Sequence, residues 1–291
     1  TAGTNQTHAL GATVVDYATA THISMVSKGI LVEHDQDGTH GDITTGTIAA
    51  SGAVTASSTL AVTGTTSLTG ARTIKSYDGW ISPTDTWTYV SATSFKITGS
   101  DVSAKFPLGT KLKLTQTTVK YFYVTACTFS TDTPVTVTGG SDYSLANAAI
   151  TLPNLSYDAT PQGFPQWFNW TPTFVNFTKG SATVAAKFSL DSSTVNFRLS
   201  VTLNSSTMGT APTFSLPISS QTLSSSHPIG EGILLDNGTA TWAAQIRYAS
   251  TTTSLIAYWT SAGTGAGVSS TTPFTWANSD EINIQGSYEA I

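Results

Sequence analysis

The stretch Thr194-Val-Asn-Phe-Arg-Leu-Ser-Val-Thr-Leu-Asn204 decides the fold class, because apolar and polar residues alternate along its whole length. Its apolar positions are Val195, Phe197, Leu199, Val201 and Leu203. Successive side chains of a strand point to opposite faces, so the alternation predicts a strand with one face in a core and the other in water. The pattern recurs three times between residues 184 and 288. We therefore expect an antiparallel, jelly-roll-like β-sandwich over residues 161–291.

The preceding region, residues 76–160, shows the same alternation in shorter runs. Lys111-Leu-Lys-Leu-Thr115 alternates, and Thr138-Gly-Gly140 is typical of a turn. We expect six to eight short strands here, arranged as a small β-barrel or sandwich. The segment Pro161-Gln-Gly-Phe-Pro165 is expected to separate this middle domain from the last one, because prolines cannot donate a hydrogen bond to a β-ladder.

The composition also favours an all-β chain. Only 10% of the 291 residues are charged, where about 25% is usual for a soluble domain. Threonine favours strands, while the helix-forming residues Glu and Lys are scarce. The net charge of −5, without a basic block, argues against a nucleic-acid partner. No apolar stretch approaches the roughly 20 residues of a membrane-spanning helix, so no membrane insertion is expected. The single Cys127 is expected to be a small buried apolar residue.

Residues 41–75 are predicted to form a stalk with a repeat of six residues. Gly46, Gly52, Gly64 and Gly70 share this spacing, and Ser58 takes the missing position. The apolar residues two positions from these sites are Ile48, Val54, Leu60, Val62 and Leu68. Such a pattern favours the short strands and turns of a β-spiral or β-helix. One chain holds too few repeats to bury the apolar row, so we expect three copies around a common axis. The alternative is a flexible linker.

Two groups of motifs resemble the fibre and spike proteins of tailed bacteriophages. One is the run Thr59-Leu-Ala-Val-Thr-Gly-Thr-Thr-Ser-Leu-Thr-Gly70; the other comprises Trp167-Phe-Asn-Trp170 and Pro273-Phe-Thr-Trp276 in the last domain. The resemblance is to tail fibres and head fibres of the receptor-binding type. It implies a homotrimeric structural subunit that lies on the virion surface and is made in the host cytoplasm. Residues 1–40 would then attach it to other virion proteins. The distal β-domains would bind a bacterial surface polysaccharide or another receptor.

Aromatic residues are the candidates for receptor binding, because sugar rings stack on exposed aromatic faces. The candidates are Tyr258, Trp259 and Trp276 in the last domain, with Trp87 and Tyr89 in the middle domain. Core packing is the alternative for each. Tyr258 and Trp259 are neighbours on a predicted strand, so one of them should face outward. The polar loops expected at 204–212, 236–239 and 261–273 suit neutral or weakly charged glycans.

No motif points to catalysis, a metal or a cofactor. Asp280 and Glu281 are adjacent, so on a strand they face opposite ways and cannot flank one glycosidic bond. The acidic segment Asp35–Asp42 resembles a calcium loop, but its spacing departs from that of an EF-hand. We expect a protein that is not an enzyme. The alternatives are a head fibre or a neck or capsid decoration protein with accessory adhesion, a polysaccharide-cleaving tailspike, and a secreted carbohydrate-binding module. The last of these would need an export signal, which we do not expect here.

Overall fold

The computed structural model describes residues 6–7, 13–14, 78–221, 227–250, 254–261 and 264–291. The chain divides into two compact units, Thr1–Arg72 and Thr73–Ile291. In the first unit, the described residues form one antiparallel pair, β1 (Gln6–Thr7) with β2 (Thr13–Val14). The predicted stalk, with its core residues Ile48, Val54, Leu60, Val62 and Leu68, lies outside the described residues and stays a prediction.

The second unit is built from β-strands, and every strand pair in its described part is antiparallel. Its strands are β3 (Thr88–Ser91), β4 (Ser94–Ile97), β5 (Lys111–Gln116), β6 (Thr118–Cys127), β7 (Thr133–Thr138), β8 (Thr151–Ser156), β9 (Phe168–Asn169), β10 (Phe174–Thr178), β11 (Thr183–Asp191), β12 (Thr194–Thr202), β13 (Thr207–Ser215), β14 (Pro228–Asp236), β15 (Ala240–Ser250), β16 (Ser254–Ser261), β17 (Thr264–Gly267) and β18 (Glu281–Glu289). One 3₁₀ turn spans Ser103–Lys105. The described ranges contain no α-helix, and therefore none that could cross a membrane.

The first of two sheets holds six strands in the order β3-β4-β7-β6-β5-β8, within the predicted range of six to eight. Its core forms because alternate residues turn inward: Leu112 and Leu114 on β5 are buried, as are Phe122 and Val124 on β6. Trp87 and neighbouring aromatic rings complete this core.

The second sheet holds ten strands, in the order β10-β13-β16-β15-β14-β18-β12-β11-β9, with β17 added beside β16. The alternation along 194–204 is confirmed, since Val195, Phe197, Leu199, Val201 and Leu203 are all buried. The antiparallel all-β class predicted from the sequence is therefore confirmed. The strands form one continuous sheet, whereas the prediction divided them between the two sheets of a sandwich.

The two sheets meet through an aromatic junction. On β6, Tyr123 points away from the six-stranded core and packs among the aromatic residues of the ten-stranded core, with its ring 5.1 Å from that of Phe168 and 5.1 Å from that of Phe164. Asp142 accepts hydrogen bonds from the backbone N–H of Asn169 at 2.8 Å and from its Nδ2 at 2.7 Å. A Cβ on Gly140 would lie 2.0 Å from the Asn169 carbonyl oxygen, so the close approach requires glycine.

Candidate functional site

A row of polar side chains crosses the solvent-facing side of the ten-stranded sheet. The strand register aligns, in this order, Lys187 (β11), Arg198 (β12), Gln285 (β18), Glu231 (β14) and Gln245 (β15). These five residues are named the polar row. Gln245 is half-buried and the other four are exposed, while the residues that alternate with them along the central strands, such as Phe188, Phe197 and Ile284, are buried. Because directly opposed residues have Cβ atoms only about 4.5–5.5 Å apart, one extended ligand could contact several members of the row.

An open groove lies over the polar row. One depression of about 780 Å³ is lined by Lys187, Arg198 and Glu231 together with Ser200 and Asn283. A second depression of about 780 Å³ continues from it toward Trp167, Asn196 and Gln245. Both are lined by Glu231 and Gln285, so they form one continuous feature, named the outer groove. Each depression has the volume of a typical small-molecule site, which is about 300–1,000 Å³.

The aromatic ring of Trp167 lies at one end of the outer groove. The guanidinium carbon of Arg198 lies 4.5 Å from the ring centroid of Trp167, which is within the range of a cation–π contact. Trp167 precedes β9, in the segment that follows the prolines at 161 and 165, and its ring is half-buried. The contact restricts the guanidinium even though the Arg198 side chain is exposed.

A second aromatic cluster lies where β15 begins. The ring of Phe274 is 4.7 Å from that of Trp242 and 4.3 Å from that of Trp276. Trp276 donates a hydrogen bond from Nε1 to the Ser269 carbonyl oxygen at 2.9 Å. Both tryptophans are half-buried, whereas Phe274 is buried between them. The predicted site residue Trp276 therefore has a firmly held ring that still contacts solvent, and this cluster is named the aromatic rim.

The other aromatic candidates from the sequence have different environments. Trp87 is only 3% exposed and stacks on Phe95 at 4.4 Å, so it has no face for a sugar, and its assignment as a binding residue is corrected to a core residue. Tyr89 is half-buried against the same core. Tyr258 pairs with Gln245 and Trp259 with Ala244 in the β15–β16 register. The side chains of Tyr258 and Trp259 lie outside the described residues, so their role stays a prediction.

Two of the three predicted polar loops differ from expectation. Residues 207–212 belong to β13, where Thr207 and Met208 pair with β10, and residues 264–267 form β17, which pairs with β16. Both segments are therefore part of the sheet and not loops. The turn between β14 and β15 agrees with the prediction at 236–239.

The acidic residues near this turn have structural contacts. Asp280 is buried, and its carboxylate accepts hydrogen bonds from the backbone N–H groups of Asn237 at 3.0 Å and Ala277 at 2.6 Å. Glu281, in contrast, is half-exposed and accepts a hydrogen bond from Nδ2 of Asn283 at 2.8 Å. The two carboxylates thus have separate environments, as the alternation predicted. Within the described ranges, no three His, Cys, Asp or Glu side chains come together to hold a metal ion.

Cys127 packs half-buried against the six-stranded core. Burial raises the pKa of its thiol, and the Asp101 carboxylate raises it further. Both effects favour the protonated thiol over the reactive thiolate. Its environment is therefore that of a packing residue.

The polar row was missed by the sequence reasoning. The sequence shows that each member lies on the polar face of its strand. It does not show the register of the five strands, on which the alignment of the row depends. Comparison with protein-family models, with curated proteins and with solved structures gives no match for this chain. The geometry of the ten-stranded sheet is therefore the basis for functional inference.

Proposed function

We propose that the chain is a non-enzymatic fibre subunit of a tailed bacteriophage, that it forms a homotrimer, and that its ten-stranded sheet binds a glycan on the bacterial surface. The observation that carries the proposal is the outer groove, with the polar row beneath it and Trp167 beside it. The members of the polar row are placed by strands rather than by loops, so this part of the binding surface is formed before any ligand arrives.

The side chains of the outer groove match the chemistry of a sugar. Gln285 offers an amide that both donates and accepts, and Glu231 offers a carboxylate that accepts from two hydroxyl groups. Gln245 offers the N–H groups of its amide, because its Oε1 accepts a hydrogen bond from Nε of Arg247 at 2.6 Å. Trp167, whose ring also contacts Arg198, lines the groove close to these groups. Sugars present the complementary surface, with hydroxyl groups around the edge of the ring and C–H groups on its faces.

Trimer formation is supported by the sequence of the predicted stalk, and the position in a virion by the resemblance to phage fibre proteins. The row Ile48, Val54, Leu60, Val62 and Leu68 needs partner chains to become buried. Three outer grooves on one stalk would raise the apparent affinity for a repeating polysaccharide by about 10²–10⁴ without any new contact. A modest affinity per groove is therefore sufficient for host attachment.

The non-enzymatic assignment is supported by the surroundings of the carboxylates. Glycoside hydrolysis requires two carboxyl groups about 5–10 Å apart across the bond to be cleaved. In the polar row, the neighbours of Glu231 are the amides of Gln285 and Gln245. This arrangement favours holding a glycan over cutting it.

The test is a binding assay with the purified full chain on an array of bacterial surface polysaccharides, together with a reducing-sugar assay on every polysaccharide that is bound. We expect binding to at least one polysaccharide without release of reducing ends. Steady release of sugar would support the tailspike alternative, and absence of binding to the whole array would contradict the attachment function. Electron microscopy of antibody-labelled virions would separate a tail fibre from a head fibre or a capsid decoration protein.

A further inference from the structure

We propose that the Lys187–Arg198 end of the polar row is a subsite for a carboxylate-bearing sugar, so that the outer groove selects an acidic glycan. This inference rests on the proposed function and specifies its ligand. It differs from the expectation of neutral or weakly charged glycans, which came from the composition of the loops.

The first step is the pairing of two like charges. Lys187 and Arg198 are directly opposite each other in the β11–β12 register. Like charges in directly opposed positions destabilise a sheet, and the strand partners on either side, Asn169 and Gln285, are uncharged amides. Among the described residues, no hydrogen bond or ion pair involves either charged side chain. No described acidic side chain pairs with Lys187 or Arg198, so a bound anion would compensate their repulsion.

The second step is the orientation of Arg198. Arg198 lines the outer groove and its guanidinium lies against the ring of Trp167, which restricts its position. No hydrogen bond among the described residues occupies the N–H edge of this guanidinium. A carboxylate matches that edge, because two parallel N–H···O hydrogen bonds form a planar bidentate pair. The ammonium group of Lys187, on the neighbouring strand, would supply a second positive charge to the same carboxylate.

The third step is the position of Glu231, which limits the ligand. Glu231 is two strands from Arg198 in the row, a separation of roughly 9–10 Å between the strands. Its carboxylate would repel a second acidic sugar but would accept hydrogen bonds from a neutral one. The outer groove is therefore suited to a polysaccharide in which acidic and neutral sugars alternate.

The experiment uses hyaluronan as the probe, since its uronate alternates with a neutral amino sugar, and carboxyl-reduced hyaluronan as its uncharged counterpart. Both polymers are immobilised, and binding of the full chain is measured by surface plasmon resonance. We expect the wild-type protein to bind hyaluronan about tenfold more tightly than carboxyl-reduced hyaluronan, which is the gain that a single charge-assisted contact allows. Lys187→Gln should remove most of this preference. Glu231→Gln should weaken binding to both polymers to a similar extent, because the carboxylate accepts hydrogen bonds from the neutral sugar that both of them contain.

Lys113→Gln is the matched control. Lys113 lies on the six-stranded sheet, where its ammonium group is 4.5 Å from the ring centroid of Trp80, so this change, like Lys187→Gln, removes one positive charge from a β-strand, but outside the outer groove. It should leave the preference for hyaluronan unchanged. Equal binding of the two polymers, or an equal loss in Lys187→Gln and Lys113→Gln, would overturn the acidic subsite. If neutral polysaccharides on the array bind while hyaluronan does not, the subsite fails and the attachment function stands; if no saccharide binds, both fail.

Discussion

The ring of Tyr123 lies 5.1 Å from the ring of Phe168, and this contact joins the six-stranded sheet to the ten-stranded sheet. The two faces of β6 are thus buried in different cores, with Phe122 in one and Tyr123 in the other. Close backbone contacts at Gly109 and Gly140 bring the same two sheets together. The junction therefore ties the outer groove to the part of the chain that follows the predicted stalk.

Replacing Tyr123 with phenylalanine should change the stability of the protein at alkaline pH. Burial raises the pKa of Tyr123 to about 12, although a hydrogen bond with the Leu190 backbone lowers it and the Asp191 carboxylate raises it slightly. An unfolded tyrosine ionises near about pH 10, so between pH 10 and 12 the unfolded state loses its proton first and stability falls. The stability contributed by the protonated Tyr123 is fully present below pH 10.

The loss at Tyr123 is expected to be about 1.4 kcal/mol at pH 11, one unit above the pKa of the unfolded tyrosine and one unit below that of the folded one. Urea denaturation at pH 8 and pH 11 measures it, and Tyr123→Phe should show a smaller decrease than wild type. Burial also raises the pKa of Tyr288, so some decrease remains in the variant. Tyr157→Phe, at an exposed position, is the control, and an identical decrease in Tyr123→Phe and wild type would contradict the assignment.

Two tryptophans of the six-stranded region should respond differently to replacement by phenylalanine. Trp80 donates from Nε1 to the Gln162 carbonyl oxygen at 2.9 Å, whereas Nε1 of Trp87 is buried without a partner among the described residues. Both changes reduce packing, but Trp80→Phe also removes a hydrogen bond and Trp87→Phe removes an unpaired polar group. We expect Trp80→Phe to be more destabilising by about 1–3 kcal/mol in urea denaturation. Equal losses would show that packing alone decides both effects.

The turn between β14 and β15 should depend on Asp280. Replacing it with alanine removes a buried carboxylate and leaves the backbone N–H groups of Asn237 and Ala277 without their acceptor. We expect a loss of about 2–4 kcal/mol in the free energy of unfolding, because hydrogen bonds to a charged group contribute more than neutral ones. Asp236→Ala is the matched control in the same turn, where the Asp236 backbone carbonyl, and not its side chain, bonds Thr239. A similar loss in both variants would contradict the specific role of Asp280.

The strands could be predicted further than the site. Alternation at 194–204 predicted both the strand and its buried face, because a period of two is a local property of the chain. Trp87 could not be assigned in this way, since its burial depends on Phe95 and Phe106 from later segments. The opposition of Lys187 and Arg198 follows from a short hairpin and was within reach of the sequence. The extension of the row to Glu231 required the order β12-β18-β14, which joins distant segments.

The predicted stalk can be tested by the mass of the protein in solution. We expect sedimentation equilibrium to give about three times the chain mass of 30.3 kDa. The double variant Val54→Asp/Leu60→Asp should dissociate to monomers, because each chain would bring two charges to the shared axis. Ser51→Asp/Thr59→Asp adds the same charge outside the apolar row and should remain trimeric. A wild-type mass near 30.3 kDa at micromolar concentration would contradict the stalk.

The outer groove and the aromatic rim can be distinguished by two tryptophan variants. Trp167→Ala removes the ring on which Arg198 stacks, so both the aromatic face and the orientation of the guanidinium are lost from the outer groove. We expect affinity for the bound polysaccharide to fall about tenfold, since stacking and one charge-assisted contact together amount to at least 1.4 kcal/mol. Trp167→Phe keeps a ring beneath Arg198 and should recover part of the affinity. Trp276→Ala alters the aromatic rim instead, and its effect on binding should be small if the variant remains folded by thermal denaturation. The opposite ranking, with Trp276→Ala weakening binding and Trp167→Ala having no effect, would move the binding site to the aromatic rim, which contains the predicted site residue Trp276.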